Sequence, residues 1–286
     1  MVFARPFKAG ASMQLPCGQC HGCRLERSRQ AAVRCLHEAQ MHRANSFITL
    51  TYSDEFLPGH APHDFRYPGD LDYRDFQAFA HRLRKKVGSF RHYTCGEYGE
   101  RSWRPHFHAC IFGIGFADRE YWRKSDSGFP VYRSKLLEST WGLGLCELGD
   151  VSFESAAYVA RYCMKKVTGV NADSHYAKLS PVTGEIFQLT PEFVHMSLKP
   201  GIGATWFDKY QGDVLHRDAV VVDGVETRIP RYYDKRFFAA HPTAEDLVKR
   251  VRVERALAVA SDNTPDRLRV REIVSLAKTR SLVRSL

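Results

Sequence analysis

The residues best suited to chemistry in this 286-residue chain are two histidines, His106 and His108, in the run RPHFHACIFG. The apolar and aromatic character of this run, closed by Gly113, predicts a short strand within 104–113. Alternate side chains of a strand share one face, so the two imidazoles project together about 7 Å apart. Such a pair can chelate one divalent cation. The alternative is two histidines on an ordinary sheet surface.

A carboxylate upstream is the candidate third ligand. Residues 90–98 predict a second strand, and a short loop joins it to the histidine strand, which indicates a hairpin. The hairpin brings Glu97 or Glu100 near the imidazoles, and we expect Glu97 because it lies at the strand end. Two imidazole nitrogens and one carboxylate oxygen leave coordination positions open for substrate. Mixed ligands of this kind suit Mg²⁺ or Mn²⁺ acting as a Lewis acid on a phosphate.

Two tyrosines with neighbouring lysines supply a candidate nucleophile. Residues 153–167, FESAAYVARYCMKKV, have the periodicity of an amphipathic helix with its apolar residues on one side. The other side carries Tyr158, Tyr162, Lys165 and Lys166. We expect this side to face outward, with the phenols one turn apart. A phenol can form a covalent intermediate when cations stabilise its phenolate, although such a pair also occurs in ordinary packing.

Cysteine spacing near the start of the chain indicates a second candidate metal site. Cys17, Cys20 and Cys23 form a Cys-x2-Cys-x2-Cys run, and thiolates at this spacing can surround one zinc ion. The candidates for a fourth ligand are Cys35, His21 and His37. Iron–sulfur proteins use similar triplets, but the nearby fourth cysteine and the following proline of those motifs are missing here. A glycine-rich turn with reduced thiols is the alternative.

The charge of the chain favours a polyanionic partner. Its 42 Lys+Arg exceed its 32 Asp+Glu, which gives a formal net charge of +10. A predicted helix over 24–43 carries an arginine stripe that suits a phosphate backbone, although a solvated helix face would look the same. The candidate DNA contacts are Arg24, Arg27, Arg34 and Arg104.

Hydropathy predicts a protein of the cytosol. No apolar run approaches the roughly 18 residues of a membrane span, so we expect no membrane partner. The first residues lack the continuous apolar stretch of a signal peptide. In that compartment the eight cysteines are expected to be thiols or metal ligands rather than disulfides.

The remaining pattern predicts the elements around these residues. Strands are expected over 47–52 and 146–151, and a helix over 72–87. Asp223-Gly224 between apolar runs indicates a hairpin over 219–229. Two helices are expected at the end of the sequence, one from about Thr243 and one capped by Thr264.

Taken in chain order, three segments resemble the three motifs of the HUH superfamily of rolling-circle replication initiators and relaxases. They are TLTY at 49–52, PHFHACIFG at 105–113 and YVARYCMKK at 158–166. Paired tyrosines followed by paired lysines are similar to those in the replication-initiation proteins of microviruses. Three longer blocks look like the gokushovirus branch: CGQCHGCRLERSR, GEYGERSWRPHFHACIFG and MSLKPGIGATWF. The similarity spans roughly residues 15–210.

The resemblance implies an α+β fold: an HUH-type central antiparallel β-sheet flanked by helices, with a C-terminal helical extension. We expect a cysteine-rich segment and basic helix packed on the core in 1–44, an endonuclease domain in 45–239 and the helical extension in 240–286. By the same resemblance His106 and His108 are metal ligands, with Glu97 as a less secure third. Tyr158 and Tyr162 are nucleophiles, assisted at the phosphate by Lys165 or Lys166.

The activity implied is nicking of one strand at the origin of a phage replicative form. A tyrosine attacks with the help of a metal, leaving a 5′-phosphotyrosine and a 3′-OH primer, and unit-length circles are rejoined later. The expected partners are origin DNA, single-stranded and duplex, and a host helicase and polymerase in the bacterial cytoplasm. Two alternatives stay open. One is an HUH relaxase, transposase or plasmid initiator, and the other is a non-catalytic zinc-containing module that binds nucleic acid.

Overall fold

A computed structural model describes residues 3–6, 12–57, 69–99, 102–161, 166–179 and 184–280 of the chain. The helices in these ranges are α1 (His21–Ala39), α2 (Tyr73–Val87), α3 (Lys135–Trp141), α4 (Phe153–Arg161), α5 (Ala172–Tyr176), α6 (Ala204–Arg217), α7 (Arg231–Ala240), α8 (Ala244–Ala258) and α9 (Pro265–Arg280). The strands are β1 (Phe3–Pro6), β2 (Ser12–Leu15), β3 (Asn45–Tyr52), β4 (Arg91–Tyr98), β5 (Pro105–Phe112), β6 (Glu120–Lys124), β7 (Pro130–Arg133), β8 (Gly144–Gly149), β9 (Ala177–Leu179), β10 (Ile186–Gln188), β11 (Phe193–Met196), β12 (Val220–Val222) and β13 (Val225–Thr227). None of the described helices is long and apolar enough to span a membrane.

The chain divides into two compact units. The first, called the sheet unit here, is Arg27–Lys209. The second combines the described residues up to Glu26 with those from Tyr210 onward, and is called the terminal unit.

A seven-stranded antiparallel sheet lies at the centre of the sheet unit. Its strand order is β11-β4-β5-β3-β8-β7-β6, so the predicted histidine strand β5 is an interior strand between β4 and β3. The α+β class with a large antiparallel sheet, flanking helices and C-terminal helices is confirmed.

Different helices cover the two faces of this sheet. On one face, α2 packs Phe76, Phe79 and Leu83 into a core that includes Leu50 and Phe107. On the other face, α1 and α4 contribute Ala32, Cys35, Ala156 and Ala160 to a second core around Phe47, Cys110 and Phe112. The side chains of β5 alternate between these cores, as the period of a strand requires.

Local sequence signals account for the ends of α2. The Asp72 carboxylate accepts a hydrogen bond from the Arg74 backbone N–H at 2.9 Å and thereby caps the first turn. The helix stops at Gly88, whose φ of 88° suits glycine. The predicted helix over 72–87 is therefore confirmed to within one residue.

The terminal unit contains two small hairpins, β1–β2 and β12–β13, and helices α7 to α9. Asp223 and Gly224 form the tight turn of the second hairpin with φ values of 50° and 77°, as that dipeptide predicts. Arg252 of α8 forms ion pairs with Asp218 and Asp234, which ties this helix to the residues ahead of it. The Thr264 hydroxyl accepts a hydrogen bond from the Arg267 N–H, so the predicted cap of α9 is confirmed.

Candidate metal centre and tyrosine helix

Strand register brings the three predicted ligands together. Glu97 of β4 lies opposite His106 of β5, and the sheet face that carries them also carries His108. One ligand atom from each residue lies within 4.8 Å of the others. Glu97 and His108 are buried and His106 is half-buried. Glu100, the second choice for third ligand, lies outside the described residues.

The hydrogen bonds of His106 test whether a cation fits this group. Its Nδ1 lies 3.1 Å from the carbonyl oxygen of Arg104, which only accepts, so Nδ1 donates. In a neutral ring Nε2 is then an acceptor, yet it lies 2.5 Å from a carboxylate oxygen of Glu97. Two acceptors this close require a proton or another cation between them. A divalent metal meets that requirement, and the carbonyl of Arg104 would orient the imidazole for it.

The ionisation of Glu97 also suits a metal ligand. Burial alone would raise its pKa, but hydrogen bonds from His106 and His108 outweigh burial and lower the pKa to about 2. The same carboxylate oxygen lies 3.2 Å from Nε2 of His108. Glu97 is therefore a carboxylate at neutral pH, which is the form that binds metal.

Thr49 is a site residue to which the sequence analysis assigned no role. Its hydroxyl lies 2.9 Å from Nδ1 of His108, and it lies opposite His108 in the register of β3 with β5. A contact on this nitrogen leaves Nε2 directed at the carboxylate side of the group. The only sequence signal was its place in the TLTY motif, because the pairing register cannot be read from one strand.

Tyr158 of α4 lies against this group. Helix α4 packs on β4 and β5, and the Tyr158 ring contacts His108 edge-on, with ring centroids 5.1 Å apart. The ring is 8% exposed and also packs edge-on against Phe47. The prediction that this side of the helix faces outward is wrong for Tyr158. Small buried residues, Ser155, Ala156 and Ala160, let α4 approach the sheet closely, so a wide arc of the helix is buried.

The other predicted residues of this helix are less well placed. Tyr162 and Lys165 lie outside the described residues. Lys166 is half-buried in a coil segment, so the predicted helix over 153–167 does not continue through Lys166 and Val167.

The four arginines predicted to contact DNA do not form one cluster in the described contacts. Arg34 is half-buried and donates from Nε to the carbonyl oxygen of Ile202 at 2.9 Å. Arg104 donates to the carbonyl oxygen of Tyr52 and pairs with Asp54. Arg24 donates to the side chain of Gln19, and Arg27 is exposed.

The terminal unit holds the predicted cysteine group. The Sγ atoms of Cys17, Cys20 and Cys23 all lie within 4.8 Å of one another. Backbone N–H groups of Cys20 and Gln19 donate to Cys17 and lower its pKa to about 6. Cys35, a predicted fourth ligand, is instead buried in the sheet unit beside Cys110 and does not join the group. It faces inward because it lies on the apolar stripe of α1.

The other two candidates for a fourth zinc ligand have different neighbours. The Nε2 atom of His21 lies 3.1 Å from the Ser275 hydroxyl of α9. The His37 ring stacks on Trp206 with centroids 3.4 Å apart, and burial lowers its pKa to about 3. The described residues therefore bring together three thiols, and neither histidine joins them.

An open pocket lies next to the carboxylate–histidine group on the same face of the sheet. Its empty volume is about 570 Å³, and its walls are mainly apolar: Phe47, Phe129, Val131 and Leu148. Thr49 and Glu147 lie opposite each other on β3 and β8 and add polar groups to the pocket. Because Thr49 also contacts His108, this pocket begins one strand away from the candidate ligands.

Comparisons with known proteins converge on one kind of protein. The family model for the replication-associated protein ORF2 matches residues 45–167. The replication-associated protein VP4 of Bdellovibrio phage phiMH2K is 34% identical over 242 residues, covering 81% of this chain and 70% of that protein. The replication-associated protein ORF2 of Spiroplasma virus 4 is 32% identical over 233 residues, 78% of this chain and 67% of that protein. The replication-associated protein ORF4 of Chlamydia phage 1 is 29% identical over 234 residues, 78% and 53%.

No solved structure gives a significant match. The family assignment therefore depends on sequence, and the region matched by the family model, 45–167, contains β3, the β4–β5 hairpin and α4. These are the elements that position Glu97, His106, His108 and Tyr158. The chain belongs to the family of microvirus replication-associated proteins, as its three motifs predict.

Proposed function

We propose that this chain is an HUH-type rolling-circle initiator that nicks one DNA strand at a phage origin by attack of a tyrosine on a phosphodiester. The observation that carries the proposal is the edge-on contact of Tyr158 with His108, at a centroid distance of 5.1 Å. It places a phenol beside a buried group of two imidazoles and one carboxylate. This combination has no evident value for packing, since burying ionisable groups costs free energy.

Glu97, His106 and His108 would hold a divalent ion, Mg²⁺ or Mn²⁺, which would polarise the phosphate oxygens. The chain's own residues do the rest of the work. The sheet fixes the three ligands at neighbouring register positions, and Thr49 and the Arg104 carbonyl orient the two imidazoles. Packing against Phe47 restricts the Tyr158 ring, so that little conformational entropy remains to be lost on attack.

The reaction we propose exchanges one ester bond for another. The tyrosine oxygen bonds to phosphorus as the bond from phosphorus to the 3′-oxygen breaks. The proton lost by the phenol is balanced by the proton that the 3′-oxygen gains. The products are a 5′-phosphotyrosine and a free 3′-OH, and because no water is consumed, the same chemistry run in reverse rejoins a strand.

Two nucleophiles would let the enzyme cut and rejoin without dissociating. We assign Tyr158 and Tyr162 as alternating nucleophiles by resemblance to the paired-tyrosine initiators. Lys165 or Lys166 would stabilise the phenolate and the phosphate charge. We also propose that the endonuclease domain is 45–239.

The pocket beside the metal ligands would receive a base of the scissile strand. Two strand spacings of about 4.8 Å separate β5 from β8, which places Glu147 about 10 Å from the line of the histidines. That distance corresponds to one or two extended nucleotides. An unpaired base could enter between Phe129 and Val131, so we expect the nicked strand to be single-stranded at the site.

The proposed partners are origin DNA in the single-stranded and duplex forms, with a host helicase and polymerase acting after the nick. The cell compartment would be the bacterial cytoplasm, where the replicative form of such a phage is copied. The predicted arginine contacts, Arg24, Arg27, Arg34 and Arg104, are retained as proposals for the backbone of bound DNA.

The test uses origin-like single-stranded DNA labelled at either end, with Mn²⁺ or with EDTA, on denaturing gels. With the 3′ label we expect a protein-linked band. With the 5′ label we expect a shorter free fragment that a polymerase can extend. A hydrolytic nuclease would instead release both fragments without a protein-linked band.

Substitutions assign the nucleophile. We expect Tyr158→Phe and Tyr162→Phe each to impair the reaction and the double variant to form no adduct. Tyr121→Phe is the matched control, because Tyr121 is 61% exposed on β6, away from the candidate ligands. An adduct that persists in the double variant would reject the assignment. Binding of DNA without any nick, across origin-like sequences and metals, would favour the non-catalytic alternative.

A further inference from the structure

We propose that Cys17, Cys20 and Cys23 bind one zinc ion, which stabilises the start of α1 and the helix that contacts it, α9. This site is distinct from the proposed catalytic centre in its residues, its ligand type and its role. It belongs to the terminal unit, whereas the catalytic residues belong to the sheet unit. The inference does not depend on the nicking activity.

The geometry of the three thiols indicates a metal site. Their Sγ atoms lie within 4.8 Å of one another, although the three residues occupy a turn and the first turn of a helix. Thiols that merely pack would bury themselves, but these three are only half-buried. The other described cysteines are buried: Cys35, Cys95, Cys110 and Cys146.

The turn is also built to accept negative charge on sulfur. The backbone N–H groups of Cys20 and Gln19 lie 3.2 and 3.5 Å from Sγ of Cys17. Gly18, with φ at 74°, allows the backbone to turn so that both donors point at the sulfur. Cys23 follows in the first turn of α1, where the N-terminal end of the helix favours a thiolate.

Zinc is the ion that best matches this donor set. Three thiolates are soft ligands that zinc prefers in structural sites, whereas Mg²⁺ and Mn²⁺ prefer oxygen donors. An isolated disulfide would leave one of the three thiols over and would not need all three sulfurs to converge. The three sulfurs leave one position of a tetrahedral site for a further donor.

A second observation says what the ion would stabilise. His21 lies between two of the ligands in sequence, and its Nε2 contacts the hydroxyls of Ser275 and Thr279 at 3.1 and 3.4 Å. The turn that carries the thiols therefore also presents the imidazole to α9. Few apolar residues of α9 are buried: Leu268, Val270, Ile273 and Val274 are all exposed. With so little apolar burial, the docking of α9 depends on polar contacts such as these, and a metal-held turn would keep His21 in position.

The first experiment measures metal in the full-length protein. Purified protein is stripped with a chelator, incubated with Zn²⁺ and desalted, and its metal content is determined by elemental analysis. We expect one tightly held zinc per chain. With Co²⁺ in place of zinc, thiolate ligation should give an intense near-ultraviolet charge-transfer band. Cys20→Ala should lose both signals, and Cys146→Ala, which removes a thiol from the sheet unit, should keep both.

A second variant covers the case in which Cys20→Ala fails to fold. Cys20→His keeps a donor of the type zinc accepts, so it should retain zinc with a shifted cobalt spectrum. Zinc removal from the wild-type protein should speed hydrogen exchange at residues 17–26 and in α9, while exchange in β4 and β5 stays unchanged. Absence of stoichiometric zinc, or full zinc retention by Cys20→Ala, would overturn the proposal. Loss of zinc with no change of exchange in α9 would overturn the stabilising role.

Discussion

Glu97, His106 and His108 meet because two strands pair in one register, whereas Cys17, Cys20 and Cys23 meet within a single turn of chain. The first group is surrounded by cores on a seven-stranded sheet, and its carboxylate is 2% exposed. The second group is half-buried. One group therefore depends on the fold around it, and the other depends on local backbone geometry.

The difference in ligand type follows the difference in construction. The sheet site mixes nitrogen and oxygen donors and leaves room for a phosphate, which suits an ion that takes part in a reaction. The cysteine site uses three thiolates, which suits an ion that holds a structure. If this comparison is right, each site can be damaged without harming the other.

The largest effect is expected for His106→Gln. Loss of one imidazole should lower metal-dependent nicking by roughly 10²–10³-fold, a typical loss when one preorganised stabilising group is removed. His195→Gln is the matched control, because His195 is an exposed strand histidine of the same sheet. Zinc content should be unchanged in both variants. Conversely, Cys20→Ala should lose zinc and still nick DNA with Mn²⁺, and a shared loss of both functions would contradict the separation of the two sites.

A smaller effect is expected for Thr49→Val. The hydroxyl contacts Nδ1 of His108 at 2.9 Å, and its removal should weaken Mn²⁺ binding by roughly 10–100-fold, as loss of such supporting contacts does at other metal sites. Thr51→Val is the control, since Thr51 lies on the same strand and face. Titration of nicking against Mn²⁺ measures the shift. Equal Mn²⁺ dependence of the two variants would show that Thr49 does not orient the ligand.

Much of this architecture is readable from the sequence where the signals are local. The strand TLTY, the helix capped by Asp72, the histidine hairpin and the Asp223-Gly224 turn all follow from patterns within about ten residues. The cysteine group is of the same kind, because its spacing alone brings the three thiols together. Placing Glu97 beside the histidines needed one further step, the inference that two adjacent strands form a hairpin.

The features missed depend on contacts between distant segments. The helical wheel of α4 separates Tyr158 from the alanines, but it cannot show that small side chains bring the helix close enough to bury the phenol. The Thr49–His108 contact requires the pairing of strands 59 residues apart. Cys35 is close in sequence to the cysteine run, yet its place on α1 directs it into the core of the sheet unit. Helix α7 was not predicted, because its sequence RYYDKRFFAA lacks a regular apolar period.

Glycine substitutions give a third contrast between the two sites. A Cβ on Gly96, next to Glu97, would lie 2.7 Å from the ring of Phe193, so Gly96→Ala should cost about 1–3 kcal/mol of unfolding free energy. A Cβ on Gly22, between Cys20 and Cys23, meets nothing within 4 Å. Because Gly22 is in α1, Gly22→Ala should be neutral or stabilising by up to about 1 kcal/mol. Denaturant unfolding of the two variants measures both, and equal costs would contradict the tight packing of the sheet site.

The smallest effect concerns acid, and it should act on the sheet unit. Burial, with Arg84, His195 and Arg91 nearby, lowers the pKa of His92 to about 4 from an ordinary 6.5. The unfolded chain therefore takes up a proton at a higher pH than the folded chain. Stability from the neutral His92 is present above about pH 6.5 and is lost as the pH falls toward 4, by about 1 kcal/mol per pH unit.

Replacing His92 isolates this contribution. His92→Gln removes the titrating group, so its unfolding free energy should fall less steeply between pH 6.5 and 4 than that of the wild type. His81→Gln on the exposed face of α2 is the control and should keep the wild-type slope. Hydrogen exchange at about pH 5 should show faster opening in β4 and β5, because His92 lies on β4. Identical pH slopes for His92→Gln and wild type would mean that the imidazole already takes up its proton in the folded state, and that the hairpin under the metal ligands is less tightly closed than its burial indicates.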